Sequence, residues 1–196
     1  IIKGKKPNKI LDIATGTADI PISLSKIKNC EIIGIDISKN MIALGKKKIK
    51  SKNLSKKIIL KAGDAEKLEY ADNNFDVVTI GFGVRNFKNL NRCLSEAHRV
   101  LKNSGCFIIY ETSLPTNKIL KYLYFIISSL FIPMVGLIFS KNPSAYFYLQ
   151  KSSKVFPSGK SFLKILSKIG FCDFEVRKKF FGTLSIYIAK KHSDNF

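Results

Sequence analysis

Lys9-Ile10-Leu11-Asp12-Ile13-Ala14-Thr15-Gly16-Thr17-Ala18-Asp19 is a short apolar run that gives way to small residues and then to an acidic one. A nearly continuous apolar strand belongs to a parallel sheet covered on both faces. A small-residue turn after such a strand lets a ligand approach the backbone closely. The same alternation repeats outward from this stretch. Glu31–Ile35, Ile58–Ala62, Phe75–Ile80 and Cys106–Tyr110 read as four more strands. Asp19–Ile27, Ser38–Lys50 and Leu90–Leu101 carry helical spacing between them, with Ser38 a natural N-cap and Asn103-Ser104-Gly105 a stop. Repeated βαβ units imply right-handed crossovers and a doubly wound α/β sheet. Beyond residue 160, Ser161–Ile169 reads as a helix, and Phe171–Arg177 and Leu184–Lys190 as two strands. A short turn around Gly182 makes those two antiparallel neighbours. The expected architecture is therefore a doubly wound, mostly parallel seven-stranded α/β sheet in a single domain spanning 1–196.

Composition narrows the class. The 196 residues are 45% apolar, enough for a real core, which excludes a disordered tail, a collagen-like repeat or a disulfide-stapled miniprotein. Cys30, Cys93, Cys106 and Cys172 show no paired CxxC spacing and read as small buried residues in a reducing compartment. No cluster has metal-ligand spacing; His98 reads as a surface or satisfied core histidine, and His192 lies in the tail. The formal charge is +20, from 34 Lys plus Arg against 14 Asp plus Glu. That balance suggests a polyanionic partner, but only four of the 34 are Arg. A nucleic-acid reader uses Arg for bidentate and stacking contacts, so no specific nucleic acid is expected. The densest run, Lys46 to Lys57, reads as a solvated face, and attraction to anionic lipid stays open. The chain opens at Ile1 without Met, as a sequence lacking its N-terminal segment would.

Residues 114–157 break the pattern. Tyr122 to Phe139 is an 18-residue stretch without a charge, flanked by Lys121 and Lys141. It reaches the length threshold for a membrane span. Yet it holds Ser128, Ser129, Pro133 and Gly136, and a span would strand the last strands away from their sheet. A helical lid over an apolar substrate, dipping toward a membrane surface, suits it better.

Four elements at strand carboxyl ends carry the chemistry, where open α/β sheets bind ligands. The first is the loop holding Asp12 and Gly16. Asp36, twenty residues after Gly16, stands where a carboxylate accepts hydrogen bonds from ribose hydroxyls. Gly63-Asp64-Ala65-Glu66 follows the third strand, where it meets an adenine edge, and Gly81-Phe82-Gly83 ends the fourth. Together they point to an adenosine-containing ligand. The loop lacks the full GxGxxG of a pyrophosphate site, and its acidic members Asp12 and Asp19 suit a cationic ligand. S-adenosyl-L-methionine, with a sulfonium and an ammonium, fits better than a nicotinamide dinucleotide.

These elements resemble class I S-adenosylmethionine-dependent methyltransferases. Phe82-Gly83-Val84-Arg85-Asn86-Phe87 and Arg99-Val100-Leu101-Lys102-Asn103-Ser104-Gly105, with Glu111-Thr112-Ser113, Ser152-Ser153-Lys154-Val155-Phe156-Pro157 and Gly170-Phe171, are similar to the ubiquinone/menaquinone biosynthesis C-methyltransferases. The family usually has Pro-Gly at Asn103-Ser104 and Gly at Ala18; the second change is tolerated if φ there is negative. By that resemblance Thr17, Asp36, Asp64, Ala65 and Gly81 are cofactor contacts, to which geometry adds Asp12 and Gly16. Gly81 is expected to leave room beside the cofactor. The implied reaction is methyl transfer to a ring carbon of demethylmenaquinol or a related prenylated quinol. It implies a cytoplasmic, membrane-associating enzyme. Arg85 then stabilises the developing oxyanion, since a guanidinium is a poor base, and Asn86 orients the ring or a proton-accepting water. Alternatively, Arg85 pairs with Asp64 or Glu111 and braces its loop. Tyr146 and Tyr148 line the substrate side or simply pack. Two other functions fit: methylation of a ubiquinone precursor or another lipid or small aromatic acceptor, and nucleic-acid binding on a degenerate methyltransferase scaffold.

Overall fold

The computed structural model describes residues 6–115, 117, 119, 120, 122 and 157–192. Most of the expected lid at 114–157 lies outside them, including Tyr146, Tyr148 and all of the 152–157 element except Pro157.

Seven strands form one sheet in the order β3-β2-β1-β4-β5-β7-β6. They are β1 (Lys9–Ile13), β2 (Glu31–Asp36), β3 (Ile58–Ala62), β4 (Phe75–Gly81), β5 (Leu101–Thr112), β6 (Phe171–Lys179) and β7 (Leu184–Lys191). β1 pairs in parallel with β2 and β4, β2 with β3, and β4 with β5. β7 runs antiparallel to both neighbours, as the tight turn at Gly182 predicts. β6 therefore runs the same way as β1 to β5, and all six carboxyl ends meet at one edge.

Strand alternation sorts the core into two layers. Ile10, Ile32, Val77 and Ile108 face α1 (Asp19–Leu24) and α2 (Lys39–Ser51), with Ile42, Ile49 and Leu60. Leu11, Ile13, Val78 and Phe107 face α3 (Leu90–Val100) and α4 (Lys160–Ile169), with Leu94, Phe162, Leu166 and Tyr187. Phe162 meets Tyr187 edge-on at 5.0 Å, and the Gly159 amide donates to the Tyr187 hydroxyl at 2.8 Å. His98, partly buried near the end of α3, sits edge-on to Phe171 at 4.9 Å.

Four local expectations need correction. α1 ends at Leu24, not Ile27, because the Ser25 amide and hydroxyl both donate to the Ile22 carbonyl and close the helix early. Asn103-Ser104-Gly105 stops nothing: α3 has already gone extended at Leu101 (ψ 134°). Those residues form instead a bulge in β5, where pairing jumps from Phe75↔Leu101 to Val77↔Cys106 and Ser104 takes φ 58°. Ala18 has φ +67°, so alanine occupies a left-handed position that favours glycine. Cys172 is only half-buried, while the other three thiols are buried. Burial raises the pKa of the Cys93 thiol to about 12, which keeps it inert.

Candidate functional site

A cavity of about 510 Å³ opens at the carboxyl edge. That lies within the range of small-molecule sites. Asp36 at the end of β2, Asp64 and Ala65 after β3 and Asn86 after β4 all line it. Four sequence-predicted residues thus converge from three separate strand ends. Ile35, Ile37 and Phe87 supply apolar wall, and Glu66 and Lys88 further polar groups. None of these five was singled out as a contact from sequence, although Glu66 and Phe87 fall within elements quoted there. Ile37 directly follows Asp36 and is 76% exposed in the structure.

The glycine loop is built by backbone geometry. Ala14, Gly16 and Ala18 take φ of 54°, 54° and 67°, alternating left-handed residues through the turn. Such alternation points backbone amides inward. The Thr15 amide donates to the Ile35 carbonyl at 2.9 Å, and the Gly16 amide to Asp36 Oδ2 at 2.8 Å. Asp36 Oδ1 accepts the Ser38 amide at 2.9 Å. The carboxylate is thereby clamped between the loop and the start of α2, with one lone pair on each oxygen left for a ligand. Gly45 lets α2 close on this loop, since a Cβ there would meet the Thr17 carbonyl carbon at 3.3 Å.

The acidic loop residues are less negative than their number suggests. Asp19 pairs with Lys48 and accepts the Thr17 hydroxyl at 2.9 Å, which together hold its pKa below the ordinary value. Its charge is thereby spent within the chain. Asp12 is buried at the end of β1, where desolvation raises its pKa to about 7. The Thr79 hydroxyl donates to Asp12 Oδ1 at 2.5 Å, while Oδ2 has no hydrogen bond among the described residues. Asp12, Gly16, Thr17 and Gly81 are not among the residues that line the cavity. Beside Gly81, a Cβ would meet Ile20 Cδ1 at 2.1 Å, so the room expected there holds the tip of an isoleucine.

Glu111 and Arg85 meet at the other end of the edge. Arg85 Nη1 donates to Glu111 Oε1, and also to the Thr112 hydroxyl at 2.6 Å. Their side chains are 5% and 1% exposed. Of the two carboxylates offered by the bracing alternative, Glu111 is the partner and Asp64 is not; Asp64 Oδ1 instead accepts the Glu66 amide at 2.8 Å. Desolvation raises the Glu111 pKa, with Arg85 pulling it back. Two buried atoms of the pair, Arg85 Nε and Glu111 Oε2, have no hydrogen-bond partner among the described residues. A buried donor and acceptor left unmade are costly unless a ligand completes them.

Sequence reading also missed the framework behind these loops. Arg99 chelates Glu96 through Nε and Nη2, both at 2.8 Å, and binds the Tyr70 and Leu68 carbonyls at 2.7 and 2.9 Å. Arg92 Nε donates to the Glu66 carbonyl at 2.9 Å. Both fasten residues 66–70 to α3, so they position the cavity wall.

Residues 1–191 match the sequence profile of the ubiE/COQ5 methyltransferase family. The chain is 39% identical over 191 residues to a demethylmenaquinone methyltransferase of Bacteroides fragilis, covering 97% of this chain and 78% of that one. It is 40% identical over 190 residues to a demethylmenaquinone methyltransferase of Chlorobaculum parvum, covering 97% and 76%. A solved protein of Pyrococcus horikoshii superposes with a TM-score of 0.67 at 24% identity, covering 96% of this chain and 83% of that one. A SAM-dependent methyltransferase of Aquifex aeolicus superposes at 0.64 with 17% identity, covering 93% and 81%. At those identities the superpositions establish the fold.

Proposed function

The chain belongs to the ubiE/COQ5 methyltransferase family, and on that premise we propose that it methylates a ring carbon of a prenylated quinol, demethylmenaquinol foremost, using S-adenosyl-L-methionine. The enzyme is a methyltransferase, with homologues named for demethylmenaquinone across 95% or more of its length. The convergence of Asp36, Asp64, Ala65 and Asn86 on one cavity carries the reading of the donor. The residues suit it: a half-buried carboxylate for ribose hydroxyls, a polar turn with an apolar neighbour for adenine, and isoleucine and phenylalanine walls. When bound, S-adenosylmethionine supplies an electrophilic methyl group on a sulfonium.

The chain's own residues do the rest. A quinol carbon becomes nucleophilic when the adjacent hydroxyl ionises and pushes density into the ring. Arg85 stabilises that oxyanion through the guanidinium edge that Glu111 does not occupy, a fixed donor in a dry setting. Glu111 and the Thr112 hydroxyl hold Arg85 in place. Asn86 orients the ring, or the water that takes the hydroxyl proton. Bracing and catalysis are thus compatible roles for Arg85. Because an isoprenoid tail keeps such an acceptor in the bilayer, the enzyme works at the cytoplasmic membrane surface.

Isothermal titration with S-adenosylmethionine tests the donor: Asp36→Ala should bind at least about tenfold more weakly than wild type. A methyl-transfer assay then compares demethylmenaquinol with a demethylated ubiquinone precursor. Equal binding by the two proteins would remove Asp36 from the site, and no turnover of either quinol would overturn the acceptor.

A further inference from the structure

The hairpin tip between β6 and β7 is built against the ordinary preferences of its residues. Phe180 and Phe181 are 73% and 84% exposed, more than any other phenylalanine among the described residues. Both take left-handed backbone, with φ of 50° and 55°. Bulky side chains adopt that region reluctantly, and it persists only where the surroundings impose it. Here they do. The Thr183 amide and hydroxyl donate to the Phe180 carbonyl at 3.1 and 2.9 Å. The Ser113 hydroxyl donates to the Gly182 carbonyl at 2.6 Å, and its amide to the Thr183 carbonyl at 2.9 Å. The backbone is fastened to the end of β5 while two aromatic rings are held out in water. Neither strain nor exposure serves stability.

We infer that this tip is a membrane-interface contact, which inserts Phe180 and Phe181 among the headgroups of an anionic bilayer. Charge complementarity selects that occupant. Lys178 and Lys179 directly precede the rings, both exposed and in no ion pair among the described residues. Aromatic rings flanked by lysine are the arrangement that seats proteins at lipid headgroups. A second copy of the chain would bring like charges together in a protein already at +20. Position agrees as well. β6 ends at the same sheet edge as β4 and β5, and Leu184, just past the tip, pairs with Thr112 beside the Arg85–Glu111 pair. Seating the tip turns the open edge of the site toward the bilayer. The inference deepens the prenylated-quinol reading and rests on it for its purpose; the tip's geometry and charge stand apart from it.

The chain has no tryptophan, so Phe181→Trp reports on the tip alone. Its emission should be water-exposed in the free protein and shift to the blue with phosphatidylglycerol-containing vesicles. Neutral phosphatidylcholine vesicles should give little shift, and high salt should reverse it. Phe180→Ser/Phe181→Ser should lower sedimentation with the anionic vesicles at least about tenfold. The same variant should keep S-adenosylmethionine binding and turnover of a short-chain, water-soluble quinol. Sedimentation without a spectral shift would overturn the tip as the contact. Blue emission before lipid is added would mean that the chain covers the tip, or a second copy does if it depends on protein concentration; either overturns the inference. If vesicle binding holds while quinol turnover is absent, the acceptor reading fails and the membrane tip survives.

Discussion

Asp36 and Glu111 both end a strand at the carboxyl edge, yet the chain finishes the first and leaves the second open. Each oxygen of Asp36 takes a main-chain amide, from Gly16 in the loop after β1 and from Ser38 at the start of α2. Glu111 crowds Arg85, the Thr112 amide and the Thr112 hydroxyl onto Oε1 and leaves Oε2 bare. The difference lies in the kind of partner. Backbone amides are positioned as soon as the loop folds, so the Asp36 side is organised by the chain itself. The Glu111 side rests on a buried side-chain pair with an unused donor and acceptor. One region is preorganised by local chain geometry and the other hangs on a side-chain pair drawn from distant parts of the chain.

The largest test of that contrast is Glu111→Ala. Removing one member of a buried ion pair leaves Arg85 uncompensated, so urea unfolding should show a loss of about 3–5 kcal/mol. A loss near zero would mean that water reaches Arg85, and the Glu111 side would then resemble the Asp36 side. Asp36→Ala should lose less stability, about 2–3 kcal/mol for two charge-assisted bonds, since water replaces the carboxylate at a half-buried site. Its main effect should fall on cofactor affinity. If its stability loss exceeded that of Glu111→Ala, the ranking of the two regions would be reversed.

Asp12 sharpens the comparison through pH. Its folded pKa of about 7 lies above the unfolded value of 3.8. Between those values the folded state holds more protons at this site than the unfolded state. The contribution of Asp12 to stability therefore falls as pH rises through that window. Asp12→Asn should thus gain stability over wild type at pH 8 and far less at pH 4. Denaturation at the two pH values checks it, and an equal gain at both would exclude titration as the cause. The smallest effect is expected for Ala18→Gly, which relieves a left-handed alanine by about 1 kcal/mol. A rise of a few degrees in Tm would mark it, whereas a fall would show that Ala18 packing in the α1/α2 layer outweighs its backbone strain.

Much of the sheet was legible because its strands announce themselves locally. β1 and β3 have the bounds that their apolar runs predict, and β2 and β4 extend one residue further. That Asp36, Asp64, Ala65 and Asn86 share one cavity was legible because position after a strand is enough to put a residue at the carboxyl edge. The bulge at Asn103–Gly105 was not legible, since a turn-forming triplet looks the same after a helix as inside a strand. The positive φ of Ala18 was hidden for the same reason, because alanine carries no mark of the backbone it is forced into. The Arg85–Glu111 pair could be posed only as one alternative of two.

The sequence by itself determined the order of elements, the parallel sheet, the turn chemistry at each strand end and the family. These follow from contacts between residues close in the chain, where spacing and residue type are sufficient. The tertiary structure alone decided which acids keep their charge. Asp19 is bonded to Lys48 on another helix, Asp12 is desolvated beneath α1 and α2, and Glu111 faces Arg85 across 26 residues. Charge depends on burial and on partners from distant parts of the chain, and packing alone brings those together.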